Sequence, residues 1–126
     1  MHNKTPLLAL VMAFAFLSPA PAQAGYVSGQ DLLDSCSPQQ ADPTYRLKLA
    51  ECRGYVVAIA DASDCSRKTI AIKWDSTVNA SQRDLVNRVI TWLKAHPDVL
   101  HYQADGLVAA ALSSNFPCSS VTAAGE

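Results

Sequence analysis

Four cysteines, Cys36, Cys52, Cys65 and Cys118, constrain this chain more than any other feature. Their meaning depends on what precedes them. Residues 1–24, MHNKTPLLALVMAFAFLSPAPAQA, place Lys4 ahead of an apolar run from Leu7 to Leu17 and a tail of small residues. Ala22 and Ala24 form an A-x-A pattern, so the segment reads as a cleavable export signal with Gly25 as the mature N-terminus. Its 11 apolar-run residues fall short of the ~20 that a membrane-spanning helix requires. Gly25 stands where a lipid-anchored precursor carries cysteine, which points to a soluble exported product. A small exported chain with an even cysteine count is expected to pair them, and four cysteines allow three connectivities. Zinc is the weaker reading, because no C-x-x-C occurs and only His96 and His101 remain in the mature part.

The mature 102 residues suffice for one domain with a modest core. Losing Lys4 with the leader leaves nine basic against eleven acidic side chains, a net charge of −2. That balance offers neither a nucleic-acid footprint nor a polybasic membrane patch.

Helical signals dominate the rest. Ser28 with Asp31 forms a capping pair ahead of Leu32, Leu33 and Cys36, predicting a short helix over about 28–36. Asp42 is expected to cap a second helix, about 43–62, with Pro43 at its first position. Tyr45, Leu49, Cys52, Val56 and Ile59 form one stripe at the helical period. Gly54 inside it costs about 1 kcal/mol relative to alanine, so close approach of a neighbouring helix is expected there. From Ala62 to Ala80 the period fails. The run Thr69-Ile70-Ala71-Ile72-Lys73-Trp74 leans towards β but is too short for a sheet, and it reads as an extended loop. Ser81 caps a third helix, about 82–95, which Pro97 ends. A fourth begins at about 98 or 102 and runs to 115, with Phe116 closing it. The fold class is all-α. The expected core comprises Leu49, Val56, Ile59, Val86, Val89, Ile90, Leu93, Leu107, Val108 and Leu112.

No catalytic constellation emerges. His96 and His101 sit at a helix junction, where a histidine is favourable beside the preceding helix C-terminus. Asp61, Asp64 and Asp75 lack a calcium-loop pattern and read as a helix end and a solvated loop. G-x-S-x-G, the P-loop and H-E-x-x-H are all missing. Trp92 lies one residue off its helix stripe and is expected at the core edge. No cofactor and no metal are expected, and the chain reads as a binding protein rather than an enzyme.

Three stretches carry a family resemblance. CRGYVVAIAD (52–61), QRDLVNRVITWLKAHP (82–97) and LHYQADGLVAAALSSNFPC (100–118) resemble the Rap/Tai immunity proteins of type VI secretion systems. The closing Phe116-Pro117-Cys118 is the most specific element. The resemblance implies a small, exported, disulfide-bonded helical protein that binds and inhibits a peptidoglycan amidase toxin in the periplasm. It also implies the homodimer that such inhibitors can form. Ala58 stands where the family usually has a second glycine, and SRKTIAIKW makes the stretch from Cys65 to Gln82 longer than its pattern.

Helix placement then assigns the cysteines. Cys36 ends the first helix and Cys52 lies on the core stripe of the second, so this pair can staple a hairpin. Cys65 follows the second helix and Cys118 the fourth, so the other pair ties the two halves. The departing loop, 66–80, carries Arg67, Lys68, Lys73 and Trp74, and loops on rigid scaffolds commonly hold recognition residues. Those four, with His96 and Asp98 at the junction, are the expected partner-binding residues. The alternative function is a periplasmic stress chaperone or an orphan binding protein of the same fold. At 17% charged residues, the chain has few of the titrating groups an acid-switched chaperone would use.

Overall fold

The computed structural model describes residues 26–68 and 71–119. The expected leader and the Thr69-Ile70 pair lie outside the described residues. Four α-helices and a short 3₁₀ turn make up the described regular structure: α1 Gly29–Cys36, α2 Tyr45–Ala62, α3 Gln82–Ala95, the turn Pro97–Val99, and α4 Ala104–Asn115.

Two helix starts follow directly from serine–aspartate pairs. The Ser28 hydroxyl accepts from the Asp31 N–H at 3.1 Å, and the Asp31 carboxylate accepts from the Ser28 N–H at 3.0 Å. Ser81 and Asp84 repeat the exchange at 3.2 and 2.9 Å. Each pair satisfies two backbone donors that a helix start leaves unpaired. The start of α2 differs from expectation. Asp42 does not cap it; its carboxylate accepts from the Thr44 N–H and hydroxyl and from the Lys48 ammonium, each within 2.8 Å. Those bonds close a turn around Pro43, and the helix begins only at Tyr45.

All four helices pack around one core. Leu32, Val56, Val89, Leu93, Val108 and Leu112 are fully buried, and Leu107 is buried beside them. Ile59, Val86 and Ile90 are half-buried against that cluster. Leu49 departs from the expected core, at 36% exposure. The buried arc of α2 is centred on Cys52, Val56 and Ala60, which leaves Leu49 at its edge. Gly54 also departs from expectation. A Cβ built there meets nothing within 4 Å, so no neighbouring helix requires a glycine.

Gly29 is the glycine that packing does require. Its N–H donates to the Tyr102 carbonyl and that of Gln30 to the Leu100 carbonyl, both at 2.9 Å. This seats the start of α1 on the segment leading into α4. A Cβ at Gly29 would collide with Leu107 and come within 3.1 Å of the Leu100 carbonyl oxygen.

Two disulfides complete the scaffold in the expected pairing. Cys36–Cys52 joins α1 to α2, and Cys65–Cys118 joins the end of α2 to the segment after α4, 53 residues away in sequence. Loop closure of that length accounts for roughly 4 kcal/mol in the chain-entropy model, against about 3 for the shorter link.

Candidate functional site

The loop after α2 is tied down at its base. Trp74 forms bridges to Asp64 on one side and Pro117 on the other, so three extended segments run side by side. Trp74 N–H donates to the Ser63 carbonyl, Cys65 N–H to the Trp74 carbonyl, and Asp75 N–H to the Phe116 carbonyl, all at 2.8–3.0 Å. The Cys65–Cys118 bond closes the same base covalently.

Asp64 draws the two loop strands together. Its carboxylate accepts from the Ser66 N–H at 2.8 Å and from the Ser76 hydroxyl. Hydrogen bonds from Ser66 and then Ser76 lower its pKa to about 2, so it stays ionised across the neutral range. Arg67, Lys68, Ala71 and Ile72 are exposed beyond this base, and Lys73 is half-buried. The described part of the loop therefore presents the cations Arg67 and Lys68 and the aliphatic Ile72 beside a fixed base.

Trp74 itself is only 5% exposed. Its indole N–H donates to the Ala60 carbonyl at 2.7 Å, and its ring lies 6.1 Å from that of Phe116. Trp74 was expected among the partner-binding residues; its burial spends the side chain on holding the loop to α2. An indole is well suited to that role, because it fills volume and satisfies a buried carbonyl at once.

Phe116 carries the connection onward. The Arg88 guanidinium lies 6.0 Å from its ring centroid, on the opposite helix α3. Arg88 then enters a groove of about 610 Å³ between α3 and α4, lined also by Thr91, Trp92, His96, Ser114 and Asn115. Trp92 and His96 stack there with ring centroids 4.0 Å apart. His96 Nδ1 lies 2.7 Å from the Trp92 carbonyl oxygen. A carbonyl only accepts, so Nδ1 carries the proton and Nε2 is left for another partner. The Ser114 hydroxyl and one N–H of the Asn115 amide donate to the Ala111 carbonyl, which leaves Asn115 a second N–H and its amide oxygen.

Loop base and groove are thus linked through Trp74, Phe116 and Arg88. Of the expected binding residues, Arg67, Lys68 and Lys73 share the loop, and His96 lines the groove. Asp98 is exposed on the 3₁₀ turn and is not among the groove's lining residues. Sequence reasoning missed Arg88 and Asn115. Neither carried a signal of its own, since Arg88 and Asn115 come to one groove only when α3 meets α4. Among the described residues no cluster of His, Cys, Asp or Glu suited to a metal ion occurs. No described helix is long and apolar enough to cross a membrane.

A disulfide-stapled helical scaffold with a braced loop beside an open groove is the form of a protein that binds a macromolecule. The match to known families agrees. Residues 28–118 match the family model described as Rap1a immunity proteins, and the chain belongs to that family. None of the curated proteins compared with the chain matches it. Family membership makes it an immunity protein whose role is to bind a toxin partner.

Proposed function

We propose that this immunity protein acts in the periplasm as a stoichiometric inhibitor of a peptidoglycan amidase delivered by a type VI secretion system. Family membership supports the toxin partner, and the export signal read from residues 1–24 supports the compartment where such a toxin acts. The observation that carries the surface assignment is the loop 64–76, closed at its base by Cys65–Cys118 and by Trp74. A support fixed before binding lowers the ordering cost that association otherwise carries.

Inhibition of this kind needs no chemistry from the inhibitor. An amidase with a cysteine–histidine pair depends on its thiolate, so covering the cleft that leads to it is sufficient. Arg67, Lys68 and Lys73 supply charge for orientation, while the α3–α4 groove with Trp92 and His96 supplies an aromatic, hydrogen-bonding surface. The homodimer implied by the resemblance belongs to the same proposal, and sedimentation velocity checks it.

The test of the surface is a variant with Arg67, Lys68 and Lys73 all replaced by alanine, titrated against the amidase. Weaker binding with a nearly unchanged Tm is expected, because surface substitutions of this type usually stay within about 0.5 kcal/mol in stability. Unaltered affinity would remove the loop from the interface.

A further inference from the structure

A second surface lies on the other side of α3. Arg46, Leu49, Ala50 and Arg53 occupy successive turns of one face of α2, and Arg83 and Val86 face them across a groove of about 430 Å³. Leu49 forms an exposed apolar patch, with the half-buried Val86 opposite it. Three guanidiniums therefore surround a small aliphatic floor, in a mature chain whose net charge is negative.

The chain does not neutralise this groove itself. Among the described residues the single ion pair is Lys48–Asp42, so no described carboxylate lies within 4.0 Å of Arg46, Arg53 or Arg83. The carboxylates at the two adjacent helix starts are already engaged, Asp42 by Thr44 and Lys48, and Asp84 by Ser81. Arg46 and Arg83 each lie in the first turn of a helix, where the macrodipole disfavours a cation. Apart from the charge of Asp84 beside Arg83, their positions gain nothing from local helix electrostatics.

We infer that this α2–α3 groove is a docking surface for a protein segment carrying two or more carboxylates around an apolar side chain. Arginine forks match carboxylates bidentately and hold them with direction as well as charge. The apolar floor between them selects against a bare polyanion, because a phosphate backbone or a lipid headgroup has nothing to place on Leu49 and Val86. This surface is separate from the loop and the α3–α4 groove, so it lets the protein hold an acidic partner segment in addition to the contacts proposed above.

The probe is a synthetic peptide, acetyl-Glu-Glu-Leu-Leu-Glu-Glu-amide, titrated into the isotopically labelled, oxidised protein at low salt. Saturable NMR shifts confined to Arg46, Leu49, Arg53, Arg83 and Val86 are expected. A variant combining Arg46→Glu, Arg53→Glu and Arg83→Glu should bind about tenfold or more weakly, a factor equal to 1.4 kcal/mol. The shift map of the unaltered protein decides the matter even if that variant folds poorly. The proposal is overturned by absence of saturable binding, or by shifts centred on Arg67, Lys68 and Lys73. Displacement of the peptide by a single-stranded oligonucleotide or by anionic vesicles at equal total charge would equally overturn it.

Discussion

The indole N–H of Trp74 donates to the carbonyl of Ala60 at 2.7 Å, which joins the middle of an irregular loop to the last turn of α2. The Trp74 backbone also bridges Asp64 and Pro117, so side chain and main chain together fix this residue against the end of α2 and the segment after α4. Replacing it with alanine is predicted to destabilise the protein by about 3–5 kcal/mol, from lost packing and a lost hydrogen bond. Urea unfolding of the oxidised variant measures this. A cost below about 1 kcal/mol would mean that Trp74 does not brace the loop.

The two leucines Leu93 and Leu49 make a paired prediction. Leu93 is fully buried, and truncation to alanine should cost about 2–5 kcal/mol. Leu49 sits at the groove edge, so the same change there should cost much less, about 1 kcal/mol or under. Equal losses at both positions would contradict the packing described.

The glycines should respond with opposite signs. Gly54→Ala meets open space inside α2 and should stabilise the protein by about 0.5–1 kcal/mol. Gly29→Ala forces a Cβ against Leu107 and the Leu100 backbone and should lower the Tm. Thermal unfolding of the two variants side by side checks both signs.

Acid should loosen the loop base. The pKa of Asp64 is depressed to about 2 in the folded protein by its bonds to Ser66 and Ser76, against about 3.9 for an unfolded aspartate. A depressed folded value means the unfolded chain binds the proton more readily. The contribution is therefore complete above about pH 4 and is lost as pH falls through about 2. Asp31 and Asp84, lowered by their serine partners, add in the same direction. Asp64→Asn should flatten the acid limb of a stability-against-pH profile, and an unchanged limb would contradict this origin.

Local chemistry was legible in the sequence, and long-range geometry was not. Ser28 with Asp31 and Ser81 with Asp84 announced two helix starts, because both partners of each cap lie within four residues. The cysteines were assignable once the helices were placed, since Cys36 ends α1 and Cys52 lies on the buried stripe of α2. The α2 start was misjudged at Asp42 because a capping residue and a turn residue look alike until Lys48 competes for the carboxylate. Leu49 follows the same period as Val56, yet its exposure depends on where α3 begins to cover α2. Trp74 offered no cue that Ala60 would lie beneath it, and the link from Phe116 to Arg88 exists only between α4 and α3. Those are contacts between distant segments, which no local pattern encodes.

The central claim is that the protein inhibits by binding, one to one. The most direct measurement is cell-wall hydrolysis by a purified type VI peptidoglycan amidase, with the oxidised protein titrated in. The account predicts a linear fall to zero at an equimolar ratio, with the two proteins co-eluting as one complex. Full hydrolysis at equimolar inhibitor, with the two proteins eluting apart, would contradict it.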